Sequence, residues 1–499
     1  MEISYSGLLP HQPAAALALL RALQRNGAAL DASDMGVGKT YTAGAVLRAL
    51  DVPTLVVGPK VSSHGWQAMG KHMGVEFDYM NYEALRFGNT PFGRWEYPMP
   101  KVRKQRLVCV DCKQEVNAAP CPYHPGGFHS VGKPQNLPHN FGKFHWHENI
   151  RCLVFDEAHR CAALDSLQAD MLIAARRQRI PTLALSGTIA TSPLHFRALG
   201  FLLGLHNLVD SRDGSGPAGF YRWAYAHGCR KLPFRGLHFA VGADQRQAVL
   251  DGLHNELFPS RGVRLRTSDI PDFPKCQITA ELYDIDASGR INELYKSMDE
   301  ALSELNERQA GRAATALTAI LNAQEEIELL MVPIFVELAQ DGVANGKHVA
   351  LFFNYRRTVE EVCKRLKTDC KVLGAQHPDE RNRNVERFQS DESPYIVATS
   401  EAGGISINLQ DLHGNFPRLG LVSLGYSAVT ARQVFGRLPR AGAKSPSLYR
   451  CILAAGTVQE KVHKALAPKL NNLDLLNDGD LAAANLPLTD FARRAMGIE

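Results

Sequence analysis

Seven consecutive residues, Asp34-Met-Gly-Val-Gly-Lys-Thr40, place two glycines, a lysine and a hydroxyl just ahead of a helix-forming stretch from 41 to 50. Glycines at 36 and 38 let backbone N–H groups turn inward, where a side chain would block the approach of a phosphate. The following helix adds its positive N-terminal end. Lys39 brings a point charge to β- and γ-phosphates, and Thr40 offers a hydroxyl to Mg²⁺. Asp34, Met35 and Val37 complete the cradle, and Ser33 stands where such loops usually have their first glycine. Read alone, the same residues also describe a Gly-rich turn carrying an exposed lysine.

A second group removes that ambiguity. Cys152-Leu-Val-Phe-Asp-Glu-Ala-His159 puts two acids at the end of an apolar strand, where ligand sites of parallel sheets form. Asp156 can hold Mg²⁺ through its water shell, and Glu157 can orient and deprotonate an attacking water. Together with the loop, this is a constellation for binding and hydrolysing ATP. His159 is expected to connect it to Ser186-Gly-Thr188. Arg437 and Arg440, three residues apart and preceded by Gln433, are expected on one face of a helix. Guanidinium groups brought across a cleft can neutralise the charge that develops on a γ-phosphate, an effect worth about 10³ to 10⁵ in rate.

The elements that position these groups are legible as apolar runs. Residues 54–58, 152–155 and 182–185 in one half, and 349–353, 395–398 and 419–424 in the other, read as buried parallel strands between helical patterns. The predicted organisation is a first α/β lobe over 1–206 with an insert at about 92–147. A mixed, then helical, linker or brace covers 207–345, a second α/β lobe 346–470, and a tail 471–499. At 499 residues, two or three domains are expected.

Composition narrows the class without naming it. Hydrophobic residues at 45% and charged residues at 21% are ordinary for a globular chain. No run of about 18 apolar residues predicts a membrane span. The N-terminus has no basic segment and no cleavage pattern, so a cytoplasmic protein of a bacterial or phage-infected cell is expected. The formal net charge of +5 leans weakly toward an anionic partner.

In their order along the chain these motifs resemble superfamily 2 helicases and translocases, with a DEAH box at 156–159 and closest likeness to the Swi/Snf-type branch. Leu8-Leu-Pro-His-Gln12 resembles the adenine-reading Q motif, with Gln12 as the reader. Leu55-Val-Val-Gly-Pro-Lys60 with Trp66-Gln67 is similar to motif Ia, and Met80-Asn-Tyr-Glu83 to the next motif that contacts a nucleic-acid backbone. Ser186-Gly-Thr188 resembles motif III, although Ile189-Ala190 follows where the branch usually has proline. Residues 349–354 resemble motif IV, and Glu380-Arg381 with Arg387-Phe388 an arginine-bearing helix. Residues 398–409 resemble motif V and Gln433 to Gly442 motif VI, with Pro439 as a departure. The resemblance implies two RecA-like lobes that close on ATP. It also implies that Lys60, Asn81, Tyr82, Thr399, Gly403 and Gly404 grip phosphates of a nucleic acid.

The insert has its own signal. Cys109-x₂-Cys112 and Cys121-x₂-His124, eight residues apart, can close a tetrahedral structural Zn²⁺ site, with His129 as an alternative fourth ligand. The sequence therefore predicts a nucleic-acid-dependent ATPase acting as a translocase or helicase. Double-stranded DNA is the favoured partner, with single strands or RNA open. A catalytically weak ATP-dependent clamp on DNA or a protein is the alternative, and a metabolic P-loop kinase leaves motifs V and VI without a role.

Overall fold

The computed structural model describes residues 3–86, 90–96, 143–164, 166–187, 192–210, 217–232, 236–306, 313–374, 376–403, 407–424, 428–461 and 463, together with the backbone of short strands at 107–109, 115–116 and 128–130. Two six-stranded sheets, each wholly parallel, organise them. The α/β reading is borne out in this form. Among the described residues no helix is long and apolar enough to cross a membrane.

In the first sheet the order is Gly262–Val263, Ala28–Asp31, Thr182–Leu185, Cys152–Asp156, Thr54–Gly58 and Asp78–Asn81. Its central strands are buried on both faces, which is why they read as unbroken apolar runs with no alternation. The helix Gln12–Asn26 begins with Pro13 in its first turn and ends on Gly27 at φ +71°, the left-handed conformation that lets the chain turn straight into the strand Ala28–Asp31.

The second sheet runs Cys276–Tyr283, Ser447–Ala454, Arg418–Val422, His348–Phe353, Tyr395–Thr399 and Lys371–Val372. Residues 207–345, expected as a linker or brace, thus give a strand to each sheet: Gly262–Val263 to the first and Cys276–Tyr283 to the second. Neither stretch carries a long apolar run, because each lies at a sheet edge. The helices Ser288–Asn306, Ala313–Leu330 and Val332–Ala344 do form the helical region. They pack on the second sheet, where Ile291, Met298, Ile327 and Phe335 meet Val349, Leu351 and Phe353. Glu328, 3% exposed, accepts from the Asn354 N–H at 2.7 Å and the Tyr355 N–H at 3.1 Å, joining that helix to the end of the strand His348–Phe353.

The insert is closed at its base by an antiparallel pair, Gly93–Trp95 with Phe144–Trp146. Trp95 donates to the Leu85 carbonyl and Trp146 to that of Met171, both at 3.0 Å, so two indoles rivet the base to the first lobe. Farther out, Leu107–Cys109 pairs with Glu115–Val116 and Phe128–Ser130. The side chain of Cys109, and all of Cys112, Cys121 and His124, lie outside the described residues, as do Thr188, Gly404 and residues 471–499.

Candidate nucleotide site

The phosphate loop follows the strand Ala28–Asp31 and is held open from outside. Residues 261–265 run beside it in parallel: Ala32 N–H donates to Val263 O at 2.8 Å and Asp34 N–H to Leu265 O at 2.9 Å. Ser33, the departure at the first-glycine position, is 2% exposed, and its hydroxyl accepts from the Leu265 N–H at 3.0 Å. Asp34 turns its carboxylate away from the cradle to accept from the Thr267 N–H at 3.0 Å. A glycine at 33 would leave the Leu265 donor without this acceptor, a reason for serine here.

Gly36 and Gly38 have φ of +84° and +89°, left-handed values that a side chain resists. Space forbids side chains as well. A Cβ on Gly36 would lie 2.7 Å from the Pro439 carbonyl, and one on Gly38 would collide with the amide of Gln12. Gln12, expected to read adenine, is buried beside the loop and donates to Val37 O at 3.0 Å. His11 Nε2 approaches the same carbonyl at 3.0 Å.

Lys39 opens the helix Lys39–Leu50, and its ammonium donates to the carbonyls of Ser33 at 2.7 Å and Asp34 at 2.9 Å. Burial pushes its pKa down, opposed by the charges of Asp31, Glu157, Asp34 and Asp156. Asp31 carried no signal in the sequence. It is 1% exposed at the strand end, and its Oδ1 accepts from the Ser33 N–H at 3.0 Å. Burial raises its pKa, with Lys39 acting in the opposite sense.

Asp156 and Glu157 stand at the end of the strand Cys152–Asp156. Asp156 Oδ2 accepts from the Trp66 indole at 3.0 Å and Oδ1 from the Glu157 N–H at 3.0 Å. Burial and then Glu157's charge raise the pKa of Asp156. Glu157 sits at φ +53°, a strained backbone for a residue with a Cβ. Burial alone would raise its pKa, but the hydrogen bond and charge of His159, with Lys39 and Arg437, hold it below the usual range. His159 Nδ1 lies 3.3 Å from Glu157 Oε2 and 3.1 Å from Ser186 Oγ, joining the acidic pair to the start of the Ser-Gly-Thr segment.

The second sheet delivers the arginines. The helix Ala428–Phe435 ends before them, so the expectation of one helix face is corrected: Gly436 and Pro439 break the helix, and Arg437 and Arg440 lie in the turn beyond. Arg437 is 3% exposed and donates to Gln433 O at 2.8 Å and Ile407 O at 3.3 Å. Arg440 Nε is buried without a hydrogen-bond partner in the described structure. Burial, then the neighbouring Arg437, lowers the pKa of Arg440. The charges of Glu157 and Asp156 act on Arg437 in the opposite sense to its burial. Gln433 is itself 8% exposed.

This turn touches the phosphate loop directly. Ala441 N–H donates to Gly36 O at 2.9 Å. Met35 lies between glycines of both lobes: a Cβ on Gly187 would be 3.0 Å from its Cγ, and one on Gly436 2.8 Å from its Cβ. The result is a cavity of about 350 Å³ lined by Gly36, Gly38, Lys39, Thr40, Asp156, Glu157, Arg437 and Arg440, with Trp66 and Asn408.

The residues expected at nucleic acid are placed less uniformly. Lys60 is exposed, and Asn81 Oδ1 accepts from the Ala84 N–H at 2.8 Å at the start of a short helix. Tyr82 is fully buried, its hydroxyl donating to Asp156 O at 2.9 Å, and Trp66 is 1% exposed. Both rings support the acidic strand end. Thr399 is half-buried, and Gly403 packs where a Cβ would lie 2.8 Å from that of Ala398. No group of three or more His, Cys, Asp or Glu suited to a metal occurs among the described residues.

Residues from both parallel-sheet lobes, the glycine loop, the acidic pair and two arginines, line one cavity, an arrangement suited to a nucleotide. No protein-family model matches the chain. Over 98% of its length it is 29% identical to the "Putative ATP-dependent RNA helicase L364" of Acanthamoeba polyphaga mimivirus, covering 87% of that protein. A stretch of 123 residues, 23% of the chain, is 36% identical to the "DNA repair and recombination protein RAD54B" of Mus musculus, covering 13% of it. The same protein of Homo sapiens is 33% identical over 123 residues.

Proposed function

We propose that this protein is a nucleic-acid-dependent ATPase that hydrolyses ATP between two RecA-like lobes to move along DNA. The convergence of Gly36, Gly38, Lys39, Thr40, Asp156, Glu157, Arg437 and Arg440 on one cavity carries the reading. The names of the relatives support its coarser part, ATP use by a helicase-like enzyme acting on nucleic acid. Gly36 and Gly38, where a Cβ would not fit, suit close approach of phosphates, and Thr40 and Asp156 face the same space.

In this mechanism the loop N–H groups and Lys39 bind the β- and γ-phosphates. Thr40 and Asp156 would hold Mg²⁺, which would supply charge neutralisation for the phosphates. Glu157, kept ionised by His159, Lys39 and Arg437, orients a water and accepts its proton. Arg437 and Arg440, with Gln433, stabilise charge on the departing phosphoryl group. Closure draws the turn at 436–442 onto the loop, and opening after hydrolysis releases it. Lys60, Thr399 and the segment near Gly403 and Gly404 hold the strand's phosphates, a grip that weakens with salt. Cys109, Cys112, Cys121 and His124, whose side chains lie outside the described residues, would hold a structural zinc ion.

ATP turnover measured without nucleic acid and with single-stranded DNA, duplex DNA and RNA tests the reading, with Lys39→Ala beside the native protein. Stimulation by duplex, lost in the variant, is expected. Turnover that ignores both nucleic acid and the variant would overturn it. Because the viral relative is named a helicase, strand separation is the second reading. Release of a labelled strand from an overhang duplex, dependent on ATP, would establish it over translocation alone.

A further inference from the structure

Between Asp213 and Asp244 the chain carries Arg222, Arg230, Lys231 and Arg235 and no acidic residue, and the aromatics Tyr221 and Tyr225 fall in the same stretch. The structure shows how part of this is presented. The short helix Phe220–Ala226 buries Phe220, Trp223 and Ala224 in the core of the first lobe. Trp223 is wedged between His206, at 4.9 Å between ring centroids, and His227, at 4.3 Å. The opposite side of the helix is therefore rigidly held, and it faces water. Tyr221 is 59% exposed and Tyr225 39%, and Val209, 76% exposed, lies against Gly219 at the start of the helix.

Cations flank the rings. Arg222 is exposed between them, 4.0 Å from Asp210. Arg230 lies in an antiparallel hairpin, Cys229–Leu232 with Gly236–Phe239, and its guanidinium donates to the Tyr225 backbone carbonyl at 2.8 Å. Lys231 is exposed next to it. Among the described residues, acidic groups at this surface include Asp210, which also accepts from the Gly219 N–H at 2.7 Å, and Glu256, engaged with His227 at 3.5 Å.

We propose that this surface, Tyr221 and Tyr225 with Arg222, Arg230 and Lys231, is a binding platform for a single strand of nucleic acid. The proposal rests on the nucleic-acid reading above and adds a site outside its motifs. Exposed rings on a rigid support accept unstacked bases at little entropic cost, and bases held inside a duplex cannot use them. The flanking cations match the strand's phosphates. Charge complementarity favours this occupant over a protein, whose surface would not on average be anionic.

Fluorescence anisotropy of a short labelled oligothymidylate and of a blunt duplex tests it, using the full chain and the double variant Tyr221→Ala/Tyr225→Ala. Single-strand affinity should fall about ten-fold while duplex affinity stays unchanged. Tyr221→Phe/Tyr225→Phe should restore it, since the ring and not the hydroxyl stacks. Basal ATP turnover and the melting temperature report that the fold is intact. Unchanged single-strand affinity in the Ala variant, or equal loss for strand and duplex, overturns the platform while leaving the ATPase reading in place. A native protein that binds no nucleic acid at all overturns both.

Discussion

The indole N–H of Trp66 donates to Oδ2 of Asp156 at 3.0 Å, so a residue from the helix Ser63–Met73 sets the orientation of the acid at the end of a neighbouring strand. A hydrogen bond to the ionised form lowers a carboxyl's pKa, opposing the burial that raises that of Asp156. In Trp66→Phe the acid should hold its proton to higher pH. Because the ionised form is the active one, the acidic limb of the turnover profile should move toward neutrality. An unmoved limb, measured at saturating nucleotide and magnesium, would show that Trp66 only packs.

Ser33 carries a prediction about the loop's foundation. Ser33→Ala removes the acceptor of the Leu265 N–H and should cost about 1 to 2 kcal/mol. A lowered denaturation midpoint together with weaker ATP binding is expected. Equal stability of the variant would mean that water replaces the hydroxyl.

Met35 and Gly436 predict a coupling between lobes. In Gly436→Ala the new methyl meets Met35 Cβ at 2.8 Å and should keep the arginine turn off the phosphate loop. Turnover should drop about ten-fold with ATP affinity largely kept, since a shift of about an ångström at the reacting groups is costly. Adding Met35→Gly, which removes that Cβ, should recover part of the loss. Strict additivity of the two changes would show that they do not act on one another.

The insert supplies a prediction about metal. Protein purified without added zinc should contain about one equivalent, and Cys112→Ser should lose it. Metal-free native protein with a normal melting profile would remove the zinc staple.

The loop at 34–40, the acids at 156 and 157 and the central strands were readable in the sequence because their chemistry is local. A cradle for phosphate needs adjacent glycines, and a strand buried on both faces needs an unbroken apolar run. The edge strands Gly262–Val263 and Cys276–Tyr283 escaped that reading. An edge strand has one free side, and the patterns here are short or mixed with polar residues.

What only the tertiary structure decided is the set of contacts between segments far apart in the chain. Asp34 meets Thr267 across 233 positions, and Gly36 meets Ala441 from the other sheet. Tyr82 and Trp66 become buried supports of Asp156, and Arg437 and Arg440 leave their helix to enter the cavity. None of these pairs has a spacing or a composition to announce it. The sequence determined which groups could bind phosphate and carry charge. Their partners were decided by the packing of whole sheets, a property of the sum of many weak contacts and of no single motif.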